Sequence, residues 1–148
     1  MHELTYRSKA REEMTLKEIQ NILDVAAIEN RKFNISGCLI YHRGTFIQII
    51  EGDRKDVLAL YSKINNDIRH SCVELLWEGA SEKRYFPDWE MAFYSTDIGA
   101  SEADIREFEQ NLSLFSEFCD KPSAATILFW RNVNELLQNY RYNRTRTI

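Results

Sequence analysis

Ile35-Ser-Gly-Cys-Leu-Ile-Tyr-His-Arg-Gly-Thr-Phe-Ile-Gln-Ile-Ile-Glu-Gly52 is the stretch on which the fold turns. Two runs rich in β-branched and aromatic residues meet at His42, Arg43 and Gly44, which is the pattern of a hairpin. The second run, Thr45 to Glu51, is almost continuously apolar, which marks a central strand covered on both faces and not a half-wetted edge. Gln48 interrupts it. Its primary amide carries two donors and an acceptor, and leaving them unpaired in a core costs roughly 1–3 kcal/mol. Something polar must meet Gln48, and the identity of that partner is the functional question.

Upstream, a short strand is expected at about Glu3 to Arg7, with Leu4 and Tyr6 on one face by the two-residue period. Thr15-Leu16-Lys17-Glu18 has the form of a capping box, in which hydroxyl and carboxylate each satisfy an orphan backbone donor. The helix it opens runs to about Glu29, with Leu16, Ile19, Ile22, Leu23, Ala26 and Ala27 at helical spacing and Asn30 at its C-terminal end. Downstream, Asp53 is a plausible N-cap for a second helix to about Asn66, with Val57, Leu60, Tyr61 and Ile64 on one side. Asp67-Ile68-Arg69-His70 forms a polar loop, followed by strands at about Cys72–Glu78 and Trp89–Tyr94.

The order β-α-β-β-α-β-β implies helices between strands running parallel, and right-handed crossovers put both helices on one face of the sheet. The expectation is an α+β, ferredoxin-like sandwich over residues 1–96, in which the strands of Tyr6 and Gln48 are parallel neighbours. Past Ser95 the pattern becomes helical. Ser101-Glu102-Ala103-Asp104 is a second capping box, leading to Ile105, Phe108, Leu112 and Phe115 at helical spacing. Pro122 starts another helix with Ile127, Leu128, Val133, Leu136 and Leu137 as its apolar side. Residues 97–148 are thus expected to cap the other sheet face, where Ile47 and Ile49 point away from Gln48.

Composition bounds the function. The chain has 148 residues, 44% of them hydrophobic, and a formal net charge of −4. No run approaches the roughly 20 apolar residues of a membrane span, and the N-terminus lacks the apolar heart of a signal peptide, so the expected location is the cytoplasm. The acidic balance argues against a nucleic-acid partner, which requires a concentrated basic surface. The tail arginines Arg141, Arg144 and Arg146 read as a solvated end. Cys38, Cys72 and Cys119 are odd in number and widely spaced, and read as reduced core residues. His2, His42 and His70 have no metal-ligand spacing, and no nucleophile sits with a histidine base, so neither a metal site nor an enzyme is expected.

Tyr6 is placed to share a face with Gln48. Asn30, Asp67, Arg69 and His70 lie at strand and helix ends on the same side. These polar groups ring a cavity walled by Ile22, Phe46 and Ile64, which suits a flat aromatic ligand with hydrogen-bonding edges. A Tyr–Gln pair that merely satisfies itself in a core meets the same residues, and buried polar pairs are commoner than ligand sites.

Tyr6-Arg-Ser8-Lys-Ala10, Asn30, Ile35-Ser36-Gly37, Gly44-Thr-Phe46-Ile-Gln48-Ile-Ile-Glu51-Gly52, Asp67-Ile-Arg69-His70 and Arg84-Tyr-Phe86-Pro-Asp88-Trp89-Glu-Met91 follow in an order and spacing that resemble the BLUF family over about residues 3–95. These are blue-light sensors that use FAD, and the C-terminal helices resemble the caps of short, stand-alone members. The resemblance implies that Tyr6 is the photoactive tyrosine, Gln48 the switching glutamine and Asn30 the anchor of the ring edge. It further implies that Ile22 and Ile64 sandwich the ring, and that Asp67, Arg69 and His70 lie near the ribityl side and the ring's far edge. Trp89 and Met91 would be the fifth-strand residues that signal. Light would draw an electron and a proton from Tyr6 through the Gln48 amide, leaving that amide rotated or tautomerised and the absorption shifted to the red. Ser36 stands where the family often has threonine, keeping the hydroxyl, and Glu29 stands at a position that varies. With no attached effector, the output is expected to pass to a separate partner protein or to a change of self-assembly in a homo-oligomer. A flavin-dependent oxidoreductase and a ligand-free protein-interaction module are the rival readings.

Overall fold

Arg43 and Gly44 both adopt positive φ, 45° and 79°, the combination that lets a two-residue turn follow the twist of its flanking strands. The turn joins β2 (Ser36–His42) to β3 (Thr45–Gly52). A computed structural model of the chain describes residues 1–12, 14–87, 92–95 and 123–145. Its elements are β1 (His2–Ala10), α1 (Leu16–Lys32), β2, β3, α2 (Arg54–Asn65), β4 (His70–Ala80), β5 (Ala92–Ser95) and α3 (Ala124–Thr145). The expected elements up to β4 are present, with β1, α1 and β4 each longer than the pattern suggested. The helix expected from Ser101 lies outside the described residues, as do Trp89, Met91 and Cys119.

The five strands are ordered β4-β1-β3-β2-β5. The strands of Tyr6 and Gln48 are neighbours as expected, but they run antiparallel, which corrects the parallel reading. The crossover through α1 makes β1 and β2 parallel to one another; the tight turn then folds β3 back between them, so it opposes both. β4 runs antiparallel to β1, and the parallel ladder is that of β2 with β5. Gly37 permits a close approach in the hairpin: a Cβ there would lie 2.0 Å from the Ile49 carbonyl oxygen.

β3 is buried along nearly its whole length, as its apolar run implied. Phe46 and Ile50 face α1 and α2, packing with Ile19, Leu23 and Leu39 in one cluster and Leu4, Tyr6 and Val57 in another. Ile47 and Ile49 face the other way, onto Cys38, Ile40 and the α3 residues Ala125, Phe129, Trp130 and Val133. The buried side of α3 matches the expected one at Val133, with Leu136 packed against the cluster, but not at Ile127. Ile127 is 51% exposed, because it sits two residues, or about 200° of helical turn, from the Ala125–Phe129–Val133 row. Cys72 is exposed as well, a consequence of lying on the edge strand.

The segment entering β5 is pinned by Glu51. Its buried carboxylate accepts from the Ser36 hydroxyl at 2.9 Å, the Tyr85 amide at 2.8 Å and the Phe86 amide at 2.7 Å. Arg84 caps the arrangement, donating to Ser36 Oγ at 2.8 Å and to the Asn34 carbonyl at 2.5 Å.

Candidate functional site

The C-terminus of α1 sets one side of the site. Asn34 takes a left-handed φ of 51° just beyond the cap. The Ile35 amide donates to the Asn30 carbonyl at 2.9 Å and the Asn34 amide to the Arg31 carbonyl at 3.3 Å. This is a Schellman closure, and it fixes the Asn30 backbone where its buried side chain lines the space between α1 and the sheet. At the other helix, Asp53 caps α2 by accepting from the Lys55 amide at 3.0 Å. Both capping residues read from sequence, Thr15 and Asp53, hold their places.

Between α1, α2 and the sheet lies a cavity of about 270 Å³. Tyr6, Ile22, Asn30, Phe46, Gln48, Ile64, Asp67, Arg69 and His70 all line it. Sequence reasoning did not assign Val25, Glu29, Leu39, Leu60 or Lys63 to it, yet they line it too. The α2 contributors had a signal: Asp56, Leu60, Lys63 and Ile64 recur at helical spacing toward one side.

Tyr6 and Gln48 are direct cross-strand partners. The phenol donates to Gln48 Oε1 at 2.5 Å, and the Thr5 hydroxyl donates to the Gln48 carbonyl at 2.9 Å, so side chain and backbone are both held. Burial pushes the Tyr6 hydroxyl well above the usual phenol value, with Tyr61 and Asp67 nearby adding to the effect. Tyr6 therefore stays neutral, its ring lying 5.8 Å from Tyr61 and edge-on to His70 at 6.4 Å.

His70 bridges three elements. Its Nε2–H donates to the Ile64 carbonyl at the end of α2, which leaves Nδ1 to accept from the Ser8 hydroxyl of β1 at 2.8 Å when the ring is neutral. Arg69 grips the Asp67 carboxylate, Nε lying 2.9 Å and 3.0 Å from its two oxygens. That guanidinium holds Asp67 below the ordinary carboxylate range, against the opposing effect of burial. The cavity thus has aliphatic and aromatic walls, an amide edge at Asn30 and Gln48, and a charged end at Asp67 and Arg69. This donor set fits a planar heteroaromatic ring with polar edges and a polar tail.

The model of the family described as sensors of blue-light using FAD matches residues 1–92. The chain belongs to this family. Among curated relatives of this BLUF chain, the photoactivated adenylate cyclase subunit alpha of Euglena gracilis is 35% identical over 83 residues, covering 56% of this chain and 8% of the relative. The blue light- and temperature-regulated antirepressor BluF of Escherichia coli K12 is 32% identical over 83 residues, covering 55% of this chain and 21% of the relative. The chain therefore spans a small part of these relatives, and the cyclase and antirepressor activities belong to them. Among solved structures, BlrB, a BLUF protein in its dark state, superposes with a TM-score of 0.67 at 26% identity, covering 89% of this chain and 93% of that one. A bacterial light-regulated adenylyl cyclase superposes at 0.65 and 30% identity, covering 86% of this chain and 38% of that one. The ferredoxin-like α+β fold and flavin-based blue-light sensing expected from sequence are those of this family. Among the described residues no cluster of His, Cys, Asp or Glu is placed to hold a metal ion, and no helix is long and apolar enough to cross a membrane.

Proposed function

We propose that this chain is a cytoplasmic, non-enzymatic photoreceptor that holds FAD in the cavity between α1, α2 and the sheet. The observation that carries this reading is the buried Tyr6–Gln48 hydrogen bond of 2.5 Å at the cavity wall. A pair that only satisfied itself would need no cavity beside it. When bound, the flavin supplies blue-light absorption and an excited state able to take up an electron and a proton.

The chain's own groups do the rest. Asn30 and Gln48 present amides to the ring edge, Ile22, Phe46 and Ile64 exclude water from the ring faces, and Asp67, Arg69 and His70 border the opposite end. Tyr6, neutral and desolvated, is the donor of both electron and proton, and the Gln48 carbonyl is the first acceptor of that proton. Once Oε1 has received it, the amide reorients by rotation or tautomerisation, and the electron then comes back to Tyr6 together with a proton, so that Tyr6 ends neutral and reduced beside a rearranged Gln48. The changed polarity at Gln48 is then passed toward Trp89 and Met91 and on to the C-terminal segment, residues 97–148. From there the signal reaches a separate effector protein, with the receptor itself a homo-oligomer. Neither nucleic acid nor membrane enters this scheme.

Purified protein is expected to be yellow and to show a reversible red shift of the flavin absorption after blue light. Colourless protein would point to the ligand-free interaction module, and flavin-dependent consumption of NAD(P)H without a light response to an oxidoreductase. Release of FMN instead of FAD on denaturation would correct the cofactor.

A further inference from the structure

On the face of the sheet turned away from the cavity, two glutamates are buried side by side. Glu3 of β1 is directly opposite Glu51 of β3 in the antiparallel register, which puts their Cβ atoms about 4.5–5.5 Å apart on one face. Glu3 is 1% and Glu51 0% exposed. Like charges directly opposite in a sheet are unfavourable, and more so in a dry core.

The two are not equivalent. Glu51 is engaged as an acceptor by three donors, Ser36, Tyr85 and Phe86. Glu3 has fewer donors. The Ser123 hydroxyl and the Ala125 amide of the first turn of α3 reach it, while its Oε2 has no hydrogen-bond partner among the described residues. Ser123 also caps α3, accepting from the Thr126 amide at 3.2 Å, so Glu3 meets the cap of the C-terminal helix.

We propose that a single proton on Glu3 latches the first turn of α3 to the sheet, so that docking of the C-terminal helix is proton-controlled and weakens as pH rises above the ordinary carboxylate range. Two influences act on Glu3 in opposite directions. The Ser123 and Ala125 donors and the helix N-terminus favour the charged form; burial and the Glu51 charge favour the neutral one. Burial is the largest, and the carboxyl is raised above its usual 4.5. The other groups facing it do not reverse this. His2, its chain neighbour, acts weakly in favour of the charge. Gly79, its partner on β4, brings no charge, and Arg84 is spent on Ser36 and the Asn34 carbonyl.

The sign follows. With α3 undocked, Glu3 meets water and loses its proton near the ordinary value; docked, it keeps the proton to higher pH. Docking is therefore strongest below about 4.5 and loses strength as pH rises through Glu3's own docked value, by about tenfold in the docking constant per unit of elevation. The latch lies on the opposite face from the flavin cavity and does not depend on the photoreceptor reading.

The test uses the full chain. Carboxyl-13C glutamate labelling is expected to show one glutamate titrating above the others, its signal lost in Glu3→Gln. Hydrogen-exchange protection factors for residues 124–136 are expected to fall in wild type as pH is raised from the ordinary carboxylate range. In Glu3→Gln, whose amide mimics the neutral acid, they should stay at the acid-side level. Protection of residues 16–32 and the flavin spectrum serve as controls that should not follow this profile. A Glu3 signal that titrates with the ordinary glutamates, or a Glu3→Gln protection profile that falls as in wild type, overturns the proposal. Should Glu3→Gln not fold, the wild-type titration, with the raised signal assigned through its coupling to residue 3, decides alone.

Discussion

Replacing Tyr6 by phenylalanine separates what the hydroxyl does for folding from what it does for light. The ring stays: its contacts with Tyr61 at 5.8 Å and His70 at 6.4 Å involve carbon atoms that Phe retains. What goes is one donor, the phenol held 2.5 Å from Gln48 Oε1. The net loss from a single buried hydrogen bond is about 1 kcal/mol, rising to about 3 kcal/mol if the carbonyl finds no replacement donor. In a chain of this length 1 kcal/mol lowers Tm by about 2–4 °C, so the variant is expected to fold and to keep its flavin. The photoresponse should not decline in proportion. It should disappear, because the phenol is both the electron donor and the source of the proton. The assay is the light-minus-dark difference spectrum, read beside a thermal melt. A Tyr6→Phe protein that still gave the reversible red shift would refute the assignment, as would a Gln48→Leu protein that did so.

Three further outcomes are expected. Asn30→Ala should keep the Schellman closure, which uses only backbone groups, but should bind flavin up to about tenfold more weakly for one lost hydrogen bond; unchanged affinity in equilibrium titration would remove Asn30 from the ring edge. Gly37→Ala should lower the denaturant midpoint by the equivalent of about 1–3 kcal/mol, because the added methyl lies 2.0 Å from a backbone carbonyl; wild-type stability would mean that the hairpin relaxes freely. Asp67 is held below its ordinary 3.8 chiefly by Arg69, so its contribution is present above that value and lost as pH falls through its folded value. Arg69→Ala should therefore flatten the loss of urea resistance below about pH 4, whereas parallel wild-type and variant profiles would count against the clamp.

Local chemistry carried most of the legible fold. Thr15 and Glu18, Asp53, and Arg43-Gly44 each marked an element end through a bond or a dihedral that only a few residue types supply, and each element end lies there. The apolar run of Thr45–Glu51 disclosed a strand covered on both faces because no half-wetted strand tolerates it. Strand direction was harder, since it depends on the whole path: β3 opposes β1 only because the hairpin inserts it between strands already parallel. Exposure of Cys72 and Ile127 was hidden for a related reason, as the identity of the edge strand and the rotation of α3 are settled by packing and not by spacing. Glu3 is the strongest case. The two-residue period of its strand assigns a face to Leu4 and Tyr6 but no burial to Glu3, which is covered only by a helix more than a hundred residues later in the chain. The site was legible in its residue types, and the nine residues expected to ring the cavity do line it; the family resemblance, not periodicity, supplied the name of what fits there.

The seams of the sheet differ in strength along its width. β3, which carries Gln48, is zipped on both sides by long antiparallel ladders to β1 and β2. On the outer flanks, β4 meets β1 in an antiparallel ladder, whereas the described residues of β5 meet β2 in the parallel arrangement that is slightly weaker per residue. A disturbance at the centre therefore meets antiparallel seams on the β1 side, and beyond β2 a parallel seam at the sheet's edge. That edge strand is also the one from which the chain leads into its C-terminal segment, so the parallel seam of the sheet is the one next to the chain's exit.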